Sequence, residues 1–192
     1  MIPRIVIKVC GITRREDAEF AAEAGATAIG FIFYPKSPRY VTPQRAAELG
    51  QGLDVWKVGV FVDESPVAVE AVMRAANLDV VQLYGGETPQ APRVWRAFRL
   101  PLPPGSGALD DSGAEAVLLD GPANGVSFDW KQACGAATKI VVAGGLDASN
   151  VAEAIRVTRP WGVDASSRLE TAPGIKDRDK VRQFVKAALQ AE

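Results

Sequence analysis

The chain has 192 residues, 47% hydrophobic and 23% charged; that length buries one core without inviting division, so a single domain over residues 1–192 is expected. Its 22 basic residues against 23 acidic ones leave a formal charge of −1, so no basic surplus points to nucleic acid or to an anionic membrane. Histidine is absent, which excludes Ser-His-Asp and Cys-His nucleophilic machinery and His-based metal sites. Proton transfer is then left to carboxylates, Cys, Lys or Tyr.

The start, Met1-Ile-Pro-Arg-Ile-Val-Ile-Lys8, lacks the basic segment, apolar middle and cleavage site of a signal peptide, and no run approaches roughly 18 apolar residues. A cytoplasmic protein is expected. Cys10 and Cys134 are too few and too far apart in sequence for a disulfide framework or a zinc cluster, so reduced thiols are expected.

In chain order, β-branched apolar runs over residues 5–9, 27–33, 55–62, 79–83, 94–98, 116–119, 140–143 and 161–163 predict eight strands. Helical spacing occupies 14–24, 43–50, 66–76, 149–157 and 177–189, so strand and helix alternate and a parallel sheet follows. Thr13 before Arg14-Arg15-Glu16 has capping-box spacing, and Thr42-Pro43 and Ser65-Pro66 place proline at a first helical position. Residues 100–107, rich in Pro and Gly, are expected to form a loop. Cys134 is expected on a helix spanning 131–137, as packing. Eight strand–helix repeats in this length predict an α/β fold, a compact (β/α)8 barrel with short helices. An open doubly wound sheet is the alternative, and no Gly-x-Gly-x-x-Gly follows the first strand to support it.

In such a barrel function collects where strands end. Gly144-Gly145 ahead of a helix offers unobstructed backbone N–H groups, and Ser166-Ser167 adds donors from the neighbouring loop, a setting suited to phosphate. Strand alternation puts Val6, Lys8 and Cys10 on one face. If that face is interior, Cys10 stands at the catalytic rim, where Lys8 could lower its pKa and populate a thiolate base. A free Cys is also a common core hydrophobe, and Lys8 could instead pair with a strand-end Asp. Asp120, leaving the core before Gly121-Pro122, suits a general acid with a raised pKa, or an ordinary turn. Arg39, between Pro35 and Pro38, could fork onto a carboxylate or stand in solvent. Asp63 and Gln82, near the ends of strands three and four, are candidates for supporting roles.

Together these segments resemble the phosphoribosylanthranilate isomerases of tryptophan biosynthesis. Lys8-Val-Cys-Gly-Ile-Thr13, Gly30-Phe-Ile-Phe-Tyr-Pro-Lys-Ser-Pro-Arg-Tyr40, Gly59-Val-Phe-Val-Asp63, Val81-Gln-Leu83, Leu118-Leu-Asp120, Phe128-Asp-Trp130, Gly144-Gly-Leu146 and Gly162-Val-Asp-Ala-Ser-Ser167 fall in family order, and Glu170 with Pro173-Gly-Ile-Lys-Asp177 continues the match. The resemblance implies an Amadori rearrangement of N-(5′-phosphoribosyl)anthranilate to 1-(2-carboxyphenylamino)-1-deoxyribulose 5-phosphate. It implies no cofactor or metal. The sequence leaves both a monomer and a homodimer open. By carry-over Asp120 is the general acid and Cys10 the general base. Arg39 would hold the anthranilate carboxylate, and the loops at Gly144-Gly145 and Ser166-Ser167 the phosphate. Gln82 and Asp164 complete the expected binding set.

The chain departs from the family pattern in three places. Only Gly121-Pro-Ala-Asn-Gly-Val-Ser127 separates Asp120 from Phe128, where the family usually has a longer loop. Tyr84 stands where His is common, and Arg168 where Gly usually follows the Ser pair. Two other readings are an isomerase or lyase acting on a different phosphosugar, which would not need Arg39, and a phospholigand-binding barrel without turnover, which would not need both Cys10 and Asp120.

Overall fold

The computed structural model describes residues 5–101, 113–123, 125–134 and 139–191. Eight parallel strands form a closed ring: β1 (Val6–Cys10), β2 (Ala28–Ile32), β3 (Trp56–Val62), β4 (Val80–Tyr84), β5 (Val94–Arg99), β6 (Ala116–Asp120), β7 (Ile140–Val142) and β8 (Gly162–Ala165). Closure is made by β1 pairing with β8, Lys8 opposite Asp164, which rules out the open sheet. Each strand falls within a residue or two of its expected place. The strands read as nearly unbroken apolar runs because both faces are buried. Val6, Ala28, Val58, Val80, Leu118 and Val141 fill the barrel, while the alternate residues, Ile7, Ile29, Val81, Leu119, Val142 and Val163, pack outward.

Helices α1 (Arg15–Glu23), α2 (Pro43–Gly50), α3 (Pro66–Ala75), α4 (Val151–Thr158) and α5 (Arg178–Gln190) cover the ring. Thr42 and Ser65 cap α2 and α3 as expected, accepting from the Arg45 and Ala68 amides. Thr13 does not cap α1. The cap position is Arg14, which makes no side-chain cap bond, because the Thr13 hydroxyl donates instead to the Gly174 carbonyl at 2.6 Å and Glu16 pairs with Arg14. Between β6 and β7 the described residues hold only a one-turn 3-10 helix, Trp130–Ala133. Cys134 lies just past it and is exposed, so it is not packing, and residues 135–137 of the helix expected there lie outside the described residues. So do residues 102–107 of the expected loop. A small antiparallel hairpin, β9 (Glu170–Ala172) and β10 (Ile175–Lys176), follows β8 and was not anticipated. Among the described residues no helix is long and apolar enough to cross a membrane.

The N-terminal end of the barrel is filled by aromatics. The ring of Trp95, fully buried, lies edge-on to Trp161 at 5.6 Å and to Trp56 at 6.4 Å. Arg93 stacks over Trp56 and Lys139 over Trp161, and the Glu115 carboxylate joins the two cations at 2.9 and 3.0 Å. Large side chains here and glycines at the other end leave the barrel's free volume at its C-terminal mouth.

Candidate active site

That mouth holds a cavity of about 280 Å³, and Cys10, Arg39, Gln82, Asp120, Gly144, Gly145, Asp164, Ser166 and Ser167 all line it. These nine expected catalytic and binding residues therefore meet at one place. Asp63 does not: it is exposed past the end of β3, in a left-handed conformation at φ 50°, and is not part of the wall.

Around the ring the cavity changes character. Ile32, Val60 and Val62 give an apolar wall on the β2–β3 side, with Arg39 above it, whereas Gly144, Gly145, Ser166 and Ser167 make a polar, N–H-rich end at β7–β8. Cys10 on β1 stands between these two ends. Its thiol has room because β2 carries glycine opposite it: a Cβ on Gly30 would lie 2.7 Å from Cys10 Sγ and 3.1 Å from Lys8 Cε. Gly30→Ala is therefore expected to cost about 1–3 kcal/mol of stability through overpacking and to displace the thiol. Thermal denaturation together with the rate of Cys10 alkylation checks this, and an unchanged alkylation rate counts against it.

Lys8 is fully buried, and its ammonium donates to Asp164 Oδ2 at 2.9 Å. This settles its partner and corrects the expectation for the thiol. Burial pushes the Cys10 pKa up; Lys8 pulls it down, but Asp164 pushes it up again, and the net direction is upward. Burial is the largest cause, and Lys8, matched to Asp164, does not offset it. Asp164 Oδ1 and Gln82 Oε1 are buried without a protein partner among the described residues, so two acceptors in the cavity wall await donors.

Asp120 behaves as expected. Burial raises its pKa, and this outweighs the hydrogen bond from Tyr84, the nearby Arg99 charge and the bond from the Gly121 amide, all of which lower it. Tyr84 donates to Asp120 Oδ2 at 2.9 Å and the Gly121 amide to Oδ1 at 2.8 Å. Arg99 stacks over the Tyr84 ring at 5.6 Å. Arg99 was missed from the sequence, although it sits in phase with Trp95 and Ala97 at the mouth end of β5, which was signal enough.

Arg39 does fork onto a carboxylate, but it is one of the protein's own. Its Nε and Nη2 donate to Glu170 at 2.8 and 2.6 Å. Nη1 has no partner among the described residues. Glu170 Oε1 also accepts from Lys176 Nζ at 2.8 Å. Burial works against the Glu170 carboxylate, yet Arg39 and Lys176 together hold it below the usual range. Gly11, at φ 77°, makes this approach possible, since a Cβ there would lie 2.6 Å from Arg39 Cδ.

A closed parallel barrel whose polar side chains gather at its C-terminal mouth defines a (β/α)8-barrel enzyme. A family profile described as N-(5'phosphoribosyl)anthranilate (PRA) isomerase matches residues 7–187. The N-(5'-phosphoribosyl)anthranilate isomerase of Solibacter usitatus is 51% identical, over 97% of this chain and 98% of the relative; that of Trichlorobacter lovleyi is 45% identical, over 97% and 99%. Among solved structures, phosphoribosyl anthranilate isomerase from Thermus thermophilus superposes with a TM-score of 0.87 at 33% identity, covering 98% of this chain and all of that one. A second, in complex with reduced 1-(o-carboxyphenylamino)-1-deoxyribulose 5-phosphate, gives 0.81 at 36% identity, covering 96% of this chain and 98% of that one. The chain belongs to the N-(5'-phosphoribosyl)anthranilate isomerase family.

Proposed function

We propose that the chain converts N-(5′-phosphoribosyl)anthranilate to 1-(2-carboxyphenylamino)-1-deoxyribulose 5-phosphate in tryptophan biosynthesis, with Asp120 as general acid and Cys10 as general base. The observation that carries this reading is the meeting of Cys10 and Asp120 in one cavity that has an apolar, Arg39-bearing end and an N–H-rich end. The solved relative that binds a reduced form of the product supports the choice of ligand. Asp120 delivers its proton to the ribose ring oxygen as the C1′–O bond opens and the anilino nitrogen forms an iminium. The Cys10 thiolate then takes the C2′ proton, and the C–H electrons neutralise the iminium to an enolamine, which tautomerises to the ketose. Arg39, aimed by Glu170, presents Nη1 to the anthranilate carboxylate over the apolar wall. Gly144, Gly145, Ser166 and Ser167 hold the phosphate, and Gln82 Oε1 and Asp164 Oδ1 accept from ribose hydroxyls. The protein works as a monomer or homodimer; a dimeric relative is known from Thermotoga maritima.

The test is the loss of substrate fluorescence on mixing with purified protein, followed across pH. An acid that must be protonated has a raised pKa, above about 3.9, and a base that must be a thiolate has one raised above about 8.5. Between those values most of the protein carries the proton on sulfur rather than on the carboxyl, and the small productive fraction does not vary with pH. A flat kcat/KM is expected there, falling below the Asp120 pKa and above the Cys10 pKa. In Asp120→Asn the demand for a protonated acid is gone, so the residual rate should climb with pH up to the Cys10 pKa and stay level beyond it. A high-pH fall that survives Asp120→Asn sinks the assignment, and no turnover at any pH sinks the activity.

A further inference from the structure

Three loops meet at the N–H-rich end of the cavity, and one side chain ties them together. The segment after β6 is short, and it lies directly on the loop after β7. A Cβ on Gly144 would collide with Gly121 and lie 3.1 Å from the Val126 carbonyl, and one on Gly145 would lie 2.7 Å from the Gly125 carbonyl. Both glycines are left-handed, at φ 80° and 64°, so their N–H groups point as they do only while that backbone is held. Gly125 in turn approaches the loop after β8, 3.2 Å from Ser167 Oγ by the same measure.

Arg168, on the loop after β8, bonds to both of the others. Its Nε donates to the Gly125 carbonyl at 3.1 Å, and its Nη1 to Asp147 Oδ2 at 3.0 Å. Asp147 is itself fixed: Oδ1 accepts from the Ser149 amide at 2.8 Å, and its own amide donates to Asn150 Oδ1, whose Nδ2 reaches the Gly145 carbonyl at 2.9 Å. The connection therefore runs from Gly125 through Arg168 and Asp147 to Gly145. A planar guanidinium can serve two acceptors in different directions at once, and an ammonium on a flexible stem does so poorly.

We propose that Arg168 is a positioning residue that clips the short loop after β6 onto the loops after β7 and β8, and so fixes the backbone donors that receive the substrate's phosphate. The role rests on the phosphate assignment made above. It gives Arg168 a role beside a loop in which only residues 121–127 separate Asp120 from Phe128. An exposed ion pair contributes little to stability by itself; here the effect falls on ligand binding, because donors already in place spare the ligand the cost of ordering them.

The experiment measures KM and kcat for the phosphoribosylated substrate, and binding of inorganic phosphate by calorimetry, in wild type, R168G, R168K, D147N and R168G/D147N. R168G is expected to raise KM and weaken phosphate binding by about tenfold, with a smaller change in kcat. D147N should act in the same direction, and the double variant should be no worse than R168G, since both cut one connection. R168K should resemble R168G. If R168K matches wild type, or if D147N tightens binding, the guanidinium acts as a direct charge on phosphate and the clip is overturned. Unchanged phosphate binding in R168G and D147N overturns the clip alone, whereas a wild type that binds no phosphate overturns the phosphate assignment and the clip with it.

Discussion

Asp120→Asn is expected to lower kcat by about two to four orders of magnitude, the usual contribution of a positioned proton donor, while leaving the folded state intact. Asparagine keeps the shape: its Oδ1 can still accept from the Gly121 amide, and its Nδ2 can donate to the Tyr84 hydroxyl, which turns from donor to acceptor, so the two groups that hold the carboxyl at 2.8 and 2.9 Å keep partners. What is lost is the transferable proton. Cys10→Ala should fall by a comparable factor, and Cys10→Ser nearly as far, since a hydroxyl in that buried setting is far harder to ionise than a thiol. Stopped-flow fluorescence with substrate in excess measures both. Substrate binding retained in each variant separates lost chemistry from lost recognition. If either single variant keeps more than about a tenth of wild-type kcat, a range general acid–base catalysis does not reach, that residue is not a proton-transfer group.

The second large effect is expected at the barrel's interior ion pair. Lys8→Met strands the Asp164 carboxylate, almost wholly buried beside a fully buried partner at 2.9 Å. Removing one member of such a pair costs about 3–5 kcal/mol. For a protein of this size each kcal/mol moves Tm by roughly 2–4 °C, so a drop of about 6–20 °C is expected by calorimetry. The Lys8/Asp164 double variant, Met with Asn, should recover much of that loss because no unmatched charge remains. Burial pulls the Lys8 pKa down, but Asp164, with a smaller part from Cys10, more than restores it, and the net shift is upward. A folded pKa above the unfolded one means the pair's contribution is fully present below the ordinary lysine range and is lost only as pH rises beyond it. The deficit of Lys8→Met should therefore be the same at pH 6 and pH 8. A Tm within 2 °C of wild type would show that water reaches Asp164 and that the pair is not structural.

Much of this architecture is legible in the sequence because it depends on short-range periodicity. Alternation from Val6 puts Lys8 and Cys10 on one face, which the closed barrel turns inward, and the apolar run ending at Asp120 delivers that carboxyl to the mouth. Thr42-Pro43 and Ser65-Pro66 announce helix starts whose caps are made within three residues. Two of the departures share one cause, a partner far away in the chain. Thr13 loses its capping role to a carbonyl 161 residues on, and Arg39 finds its carboxylate 131 residues on. The hairpin that supplies Glu170 and Lys176 has strands of three and two residues, too short to show any period. The direction of the thiol's shift has a related origin. Proximity of Lys8 can be read from alternation, whereas the burial that raises the Cys10 pKa and the matching of Lys8 by Asp164 appear only when the barrel closes and β8 meets β1.

The tryptophan-filled floor bears on traffic. With Trp56, Trp95 and Trp161 packed across the N-terminal end beneath Arg93 and Lys139, the barrel is a cup and not a conduit. Substrate arrives and product departs through the same opening, so the two queue for one doorway. Accumulating product is then expected to compete with substrate for that single entrance.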